Sequence, residues 1–580
     1  MAENTAGSAD AASLAYLASP APQRRWLVAP GLWLIIVAIA LLVLPPFVYL
    51  VSSSLSVPGS QSRFALDNYR SILDIGGAAV WTVSLAFAAG STLVAAVLGF
   101  SVAWLVARTD VPFRQTAYVS AFLSLGVPLI VKGIGWILLL GPNNGLINQW
   151  LRALGAGDAA IRLYTLGGMI SVEGLLWTPV AFLLLLPPLA GINPALEEAA
   201  AMAGATRWQT FRRVTFPLAR PSVLAILLLS FIRALESFEV PLLIGIPGDI
   251  ETVTTALYQR IHSGFLPQYG EASAYAVLLI AAVALPLFLY YRATRESSRF
   301  ATLTGKGFQT RRIALGRWRV PCALWVLLVP LSLAAPLIIM IWASFLPLYT
   351  NPSRDDFSRL TLDNYAGLWR QPETWSGLTN SLIVAGVSAT LVAVATLIFS
   401  WLVLRRKEPV RWTIDILVSL PLVFPGLVLG IAILVEFLRL PFIPIYGTVW
   451  IFVVAFVIKF MPYGMRFNYS GVLAIARELE ESGQMSGAST VTVLRRIVLP
   501  LAMPAVWATW VYVFIYAIRD LSTAVLLSGP RSALVSVVIL ELWNNGEVPQ
   551  LAALSVFLAI IVSLFALLLM RLSRAQGLNP

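Results

Sequence analysis

The chain holds one cysteine, Cys322, and one histidine, His262, in 580 residues. A single thiol cannot close an intramolecular disulfide, and neither residue alone can supply a thiolate or imidazole metal cluster. Each reads as an ordinary membrane or loop residue. Charge is equally scarce: Asp, Glu, Lys and Arg make up 12% of the chain against 58% hydrophobic residues, where soluble domains carry about a quarter charged. That balance excludes a soluble enzyme or scaffold. Also missing is any Gly-x-x-x-x-Gly-Lys-Ser/Thr phosphate loop, since Gly305-Lys306-Gly307 lacks the rest of it. The chain is not expected to hydrolyse ATP, and no nucleophile or His-rich constellation marks it as an enzyme.

What it has in abundance is apolar length. Crossing a hydrocarbon core of about 30 Å takes roughly 20 residues, and about twelve such runs are predicted. They lie near 27–52, 77–106, 116–140, 167–190, 217–246, 272–293, 321–346, 377–404, 412–438, 445–468, 500–528 and 549–570. The net charge of +12 is distributed by side. Alternate loops hold Arg24, Arg25, Arg108, Arg114, Arg207, Arg212, Arg213, Arg405, Arg406, Lys407, Arg411, Arg495 and Arg496, and a central basic stretch runs from about 294 to 320. The opposite loops carry Asp67, Asp74, Asp249, Glu251, Asp355, Asp356 and Asp363. This is the positive-inside bias, which places both termini in the cytoplasm of a multi-pass protein and makes nucleic acid an unsuitable partner. The small polar residues before Arg24 read as a disordered tail. The run after Arg25 is too long for a signal peptide and ends in no small-residue cleavage site, so it reads as a retained first span.

The chain repeats itself. Leu66-Asp67-Asn68-Tyr69 recurs as Leu362-Asp363-Asn364-Tyr365, an offset of 296, and Ser124-Leu125 with Pro128 is echoed by Ser419-Leu420 with Pro421 and Pro425. A longer polar pattern is also doubled. Glu198-Ala199-Ala200 is followed by Gly204 and by Val214-Thr215-Phe216-Pro217. Glu481-Ser482-Gly483 is followed at identical spacing by Gly487 and by Ile497-Val498-Leu499-Pro500, an offset of 283. Six predicted spans separate equivalent points, so the halves are parallel repeats rather than inverted ones. The expected fold is an all-α integral membrane protein of about twelve helices in two six-helix repeats. Its divisions are a cytoplasmic tail at 1–25, a first half at 26–293, a linker at 294–320, a second half at 321–572 and a tail at 573–580.

Around each Gly the loop predicts two short helices on the membrane surface. Pro194 suits a first helical position, and Glu197 and Glu198 sit where the helix dipole favours acids. Gly204 permits the positive φ of a turn, and Pro217 or Pro500 opens the next span, where a missing N–H costs little. Gly483 in place of alanine costs its helix about 1 kcal/mol.

The doubled Glu–Gly–Pro spacing resembles the EAA loop of bacterial ABC importer permeases, the segment that docks on the ATPase subunit. Residue by residue, Glu198, Ala199, Ala200 and Gly204 match the motif in the first half, and Glu481 and Gly487 match it in the second. The resemblance implies a coupling helix in each half, two copies of a cytoplasmic ABC ATPase, a periplasmic or extracellular solute-binding protein, and an inner-membrane location. It implies no cofactor on this chain, with Mg-ATP held by the ATPase.

Charged residues inside the spans mark a path or a structural lock, since such groups face a bundle interior and find partners. The candidates are Arg233, Glu236 and Glu239 in the first half and Arg519 and Asp520 in the second. Arg233 and Glu236 are three apart and can pair on one helical face. The alternatives are a translocation path or ion pairs that hold the halves together. Lys132 and Lys459 lie near predicted span ends, where their ammonium groups can snorkel to water. Phe238 to Pro247 and Asp520 to Pro530 resemble segments of the fused permeases of ferric iron importers, which implies iron as cargo. Permeases for thiamine, 2-aminoethylphosphonate and polyamines share this layout, and a duplicated twelve-span secondary carrier is the alternative of another mechanism.

Overall fold

The computed structural model describes residues 29–56, 65–74, 76–155, 161–262, 266–295, 312–405 and 410–575. The predicted tail at 1–25, residues 296–311 of the predicted linker at 294–320 (Lys306 among them), Arg406 and Lys407, and the last five residues lie outside the described residues. Every long element among those described is a helix, the form that satisfies all its backbone groups within one segment of lipid-immersed chain. One isolated parallel β-bridge, Thr109 to Ile313, is the exception.

Ten helices are long and apolar enough to cross a membrane, or twelve if each of two bent pairs is one span. Five lie in each half: Trp33–Ser54, Gly77–Arg108, Leu166–Ala190, Trp208–Leu235 and Tyr269–Tyr290, then Gly316–Ser344, Pro372–Arg405, Val449–Leu473, Thr490–Ile518 and Val548–Phe565. The third span of each half corrects the prediction of a straight crossing. Arg114–Ser124 and Leu129–Leu140 meet at 115°, and Arg411–Val423 and Gly426–Arg439 meet at 106°. Pro128 and Pro425 are the cause: each stands at the N-cap of the second piece with ψ near 140°, and a proline cannot donate to the turn before it.

The bend does not cancel the crossing. Arg108, at the end of the second span, donates from Nη1 to the carbonyl of Ile192, just past the end of the fourth, at 3.2 Å. Arg405 Nη2 makes the same bond to Ile475 O at 3.2 Å in the second half. Second and fourth spans therefore end on one side, and the bent pair between them must traverse the membrane. Ile313 bonds to Arg108 O at 2.9 Å, so the second half enters from that same side. The two repeats are parallel.

The repeated Leu-Asp-Asn-Tyr segment holds the end of each first span. Asn68 Nδ2 donates to the carbonyls of Ser54 (2.9 Å) and Ser56 (3.0 Å), and Tyr69 donates to Ser54 Oγ at 2.9 Å. Asn364 Nδ2 donates to Ser344 O (2.9 Å) and Leu346 O (2.8 Å), and Tyr365 shares a 2.7 Å bond with Ser344 Oγ. A helix end leaves such carbonyls without partners, and one asparagine amide supplies both. The held spans are exchanged between the halves. Ile36, Ile39 and Val43 pack in one core with Leu397, Trp401 and Met465, while Ala323, Val326 and Val329 pack with Val102, Phe182 and Leu185.

The fifth spans also differ from prediction at both ends. Each begins in the loop rather than at Pro217 or Pro500, running through one π turn, Phe211–Thr215 or Leu494–Val498. The proline two residues on cannot bond to the carbonyl four back and crowds it, so the ladder widens by one residue instead of breaking. Each span also stops early, at Leu235 and Ile518, well short of the predicted 246 and 528. Irregular backbone at membrane depth persists only where protein or a cavity surrounds it, and both breaks sit beside the charged residues.

Candidate functional site

The doubled loop forms matched helices, Pro194–Met202 and Arg477–Met485. Asn193 caps the first by accepting the Ala195 N–H at 3.0 Å. Gly204 and Gly487 end them with φ of 80° and 86°, and Ala205 N and Ala488 N reach back to Ala200 O and Gly483 O at 3.0 and 3.1 Å. This is the left-handed helix stop that glycine adopts at least cost.

Two adjacent acids divide the work on each helix. Glu198 and Glu481 face outward, and Glu481 pairs with its own helix neighbour Arg477, both more than half exposed. The residue before each one points in. Glu197 is ion-paired with Arg108 and accepts Thr215 Oγ1 at 2.7 Å. Glu480 accepts from Arg405 Nη2 at 2.6 Å and Nε at 2.9 Å, and from Trp401 Nε1 at 2.9 Å. With the Ile192 and Ile475 carbonyls on the same guanidinium groups, each loop helix is clamped to the end of its second span. Sequence reading missed this clamp; the signal was an arginine closing each second span and a second acid in each loop. Outward, each helix and the short helix after its glycine bare apolar side chains at matched positions: Leu196 and Leu479, Met202 and Met485 (85% and 90% exposed), Trp208 and Val491.

The charges within the spans converge from both halves. Arg233 Nη2 donates to the Tyr463 hydroxyl at 2.5 Å across the halves, and its Nη1 lies 3.4 Å from Glu236 Oε2. Asp520 does not pair with Arg519. It is ion-paired with Lys459, accepts the Thr523 N–H at 2.9 Å, and lends its carbonyl to Ser536 Oγ at 2.7 Å. Arg519 instead donates to the Leu125 carbonyl at the bend of the other half and lies over the Tyr516 ring at 4.5 Å. That carbonyl ends a helix with no partner of its own, which makes it a natural site for a cation. Neither lysine snorkels: Lys132 is buried, with Nζ on Ser124 O and Oγ at 3.1 and 3.2 Å, and Lys459 Nζ also reaches Thr523 Oγ1 at 2.9 Å.

Glu173, buried in the fourth span and bonded to Trp177 Nε1 at 3.0 Å, joins this network and was not singled out in the sequence. An acid inside an apolar run was the available signal. Glu239 lies within electrostatic reach of Lys459, Arg519 and Asp520, and Glu173 of Lys132 and Glu239. Of these groups Arg233–Glu236 and Lys459–Asp520 are direct ion pairs, while Lys132, Arg519 and Glu173 are held by the neutral groups of Ser124, Leu125 and Trp177. A wall of phenols from the second half borders Arg233, with Tyr463 and Tyr512 ring centroids 5.6 Å apart and Tyr512 and Tyr516 stacked at 4.4 Å. Outside the spans, His262 stacks on Tyr258 at 4.2 Å, and burial holds its imidazole below the usual range. Among the described residues no group of three or more His, Cys, Asp or Glu is placed to hold a metal ion.

Two parallel repeats with a polar core between them, and a surface helix clamped on the same side of each, define a duplicated multi-pass membrane component of the transport class. The family described as "Binding-protein-dependent transport system inner membrane component" matches residues 95–297 and 392–577, once in each half. The chain belongs to this family, as a fusion of two of its units. It is 28% identical over 464 residues to the ferric transport system permease protein FbpB of Actinobacillus pleuropneumoniae, covering 77% of this chain and 64% of that protein. It therefore spans just under two thirds of that relative. To the Fe(3+)-transport system permease protein FbpB 2 of Haemophilus influenzae it is 22% identical over 538 residues, 92% of this chain and 96% of the relative. Among solved structures, a bacterial ABC transporter involved in the import of the acidic polysaccharide alginate is 21% identical over 48% of this chain and 97% of that one, at a TM-score of 0.39; so loose a superposition carries no argument here.

Proposed function

We propose that the chain is the membrane-spanning permease of an ATP-driven, binding-protein-dependent importer of ferric iron. The observation that carries this reading is the pair of clamped loop helices on one side, each baring the same apolar positions beside an outward acid. Exposed apolar patches of that kind mark protein contacts. In this reading that side is the cytoplasm, Glu198, Ala199, Ala200, Gly204, Glu481 and Gly487 contact two copies of an ABC ATPase, and Mg-ATP stays on those subunits. A solute-binding protein delivers cargo to the opposite face.

The geometry gives the stroke a route. Each loop helix is tied by Arg108–Glu197 or Arg405–Glu480 to a second span, and through its glycine turn and π turn to a fifth span. The fifth spans end at Leu235 and Ile518, just before Glu236 and Arg519, so displacement of the loops reaches the charged core, where Arg233–Tyr463 and Arg519–Leu125 join the halves. Arg233, Glu236, Glu239, Arg519 and Asp520 line the contact that must part. Ferric iron is a hard cation that prefers oxygen ligands, and the carboxylates with the phenols of Tyr463 and Tyr512 supply oxygens there.

The test is uptake into proteoliposomes holding this chain and its ATPase, with the binding protein added outside. Ferric uptake that requires ATP and the binding protein supports the reading. Uptake driven by an ion gradient without the ATPase would make the chain a secondary carrier. A binding protein that retains thiamine, 2-aminoethylphosphonate or a polyamine instead would keep the importer and replace the cargo.

A further inference from the structure

A second polar assembly lies at the junction between the halves, away from the midplane. Residues 312–315 fold back on the end of the first half's second span. Ile313 N–H donates to Arg108 O at 2.9 Å, Asp110 N–H donates to Ile313 O at 3.1 Å, and Leu315 N–H donates to Asp110 Oδ1 at 2.9 Å. This bridge ties the residue after Arg312 to the end of the helix that precedes Arg114, and the chain then enters its next span with Arg319 opening the helix Arg319–Val326. Arg312 and Arg319 both lie within electrostatic reach of Arg114.

The cluster is under-neutralised. Asp110, the nearby acid, has an oxygen committed to Leu315. Among the described residues no salt bridge reaches any of the three arginines. Arg114 uses Nε on the Val111 carbonyl at 2.9 Å, which leaves its terminal nitrogens available. Like charges gathered this way repel. The helices opened by Arg114 and Arg319 both lead into membrane-crossing segments here. Phe113 and Trp318, each the residue just before one of those arginines, are half or more exposed, as aromatics are at the lipid headgroup level.

We infer that this junction binds the phosphate group of an anionic phospholipid, with the guanidinium forks of Arg114, Arg312 and Arg319 as donors and Phe113 and Trp318 as the interfacial contact. Guanidinium groups match phosphate oxygens in pairs, and a bound headgroup neutralises the cluster while fixing residues 312–319 against the bilayer. The shared chemistry is a phosphate anion; the flanking aromatics and span entries favour the lipid as its source.

The test uses the full chain in nanodiscs of phosphatidylcholine with and without phosphatidylglycerol, and native mass spectrometry of the lipid retained. The triple variant Arg114→Gln, Arg312→Gln, Arg319→Gln is expected to bind phosphatidylglycerol about a hundredfold more weakly, from roughly fivefold per arginine. A control triple, Arg354→Gln, Arg359→Gln, Arg370→Gln, removes equal charge from other exposed positions and should leave retention unchanged. The single variant Arg312→Gln, at an exposed site, should fold normally and lose about fivefold. Equal retention in the two triples would overturn the site. Inorganic phosphate binding as tightly as the lipid, and lost in the same triple, would overturn the lipid source and assign the cluster to a soluble anion.

Discussion

The two halves agree at the membrane surface and disagree at the midplane. At the surface, arginine, acid and isoleucine carbonyl recur as Arg108–Glu197–Ile192 and Arg405–Glu480–Ile475. At the midplane the 283-residue offset sets Arg233 opposite Tyr516, Glu236 opposite Arg519 and Ser237 opposite Asp520. A pair of identical subunits would bring like charges toward each other across the axis, where low dielectric makes repulsion expensive. A fused chain can diverge, and here the second half holds the Lys459–Asp520 pair where the same offset gives Leu176 and Ser237 in the first. In the proposed function the repeated part is what meets two copies of one partner; the divergent part lies between the halves.

Breaking the clamps should have the largest effect. Arg405→Ala strands Glu480, whose side chain is 5% exposed, and should cost about 3–5 kcal/mol. Arg108→Ala should fall at the lower end of that range, because Glu197 is 20% exposed and keeps Thr215. Denaturation of the purified variants measures both, and a silent change in either half would end the equivalence of the clamps. At the midplane, Lys459→Met strands Asp520 and should cost about 2–4 kcal/mol. Adding Asp520→Asn should return most of the loss if the pair is scaffold. A double variant restored in stability yet impaired in transport per molecule would instead place the pair in the path.

The fold was largely legible because its signals are local. Apolar length marked the spans, and the doubled loop marked the repeat together with the positive φ later seen at Gly204 and Gly487. What escaped depends on distant partners. Nothing near Glu197 says that Arg108 will hold it while Glu198 faces outward. The Asp520 carboxylate meets Lys459, 61 residues away, a partner that no local spacing indicates. Span length alone also hid the bends at Pro128 and Pro425 and the early stops at Leu235 and Ile518, since an apolar run continues across a break that protein on all sides makes tolerable.

Smaller changes sharpen the comparison further. Gly204→Ala and Gly487→Ala force a Cβ into a left-handed turn and should cost about 1–2 kcal/mol each, equally in both halves. Unequal losses would show that one loop carries the load. The least effect concerns a compensating exchange. A Cβ on Gly483 would meet Ile497 Cδ1 at 2.7 Å, where the first half has Ala200 and the smaller Val214. Gly483→Ala with Ile497→Val recreates that packing and should change stability by under about 1 kcal/mol, since the gain in helix propensity offsets the lost methyl.

The central claim, two equivalent docking helices in one chain, is tested most directly by cross-linking from their most exposed side chains. In a Cys322→Ser background, Met202→Cys and Met485→Cys should each capture one ATPase subunit in membranes, and the double variant should capture two. Capture from neither position, or from one alone whatever the nucleotide present, would contradict it.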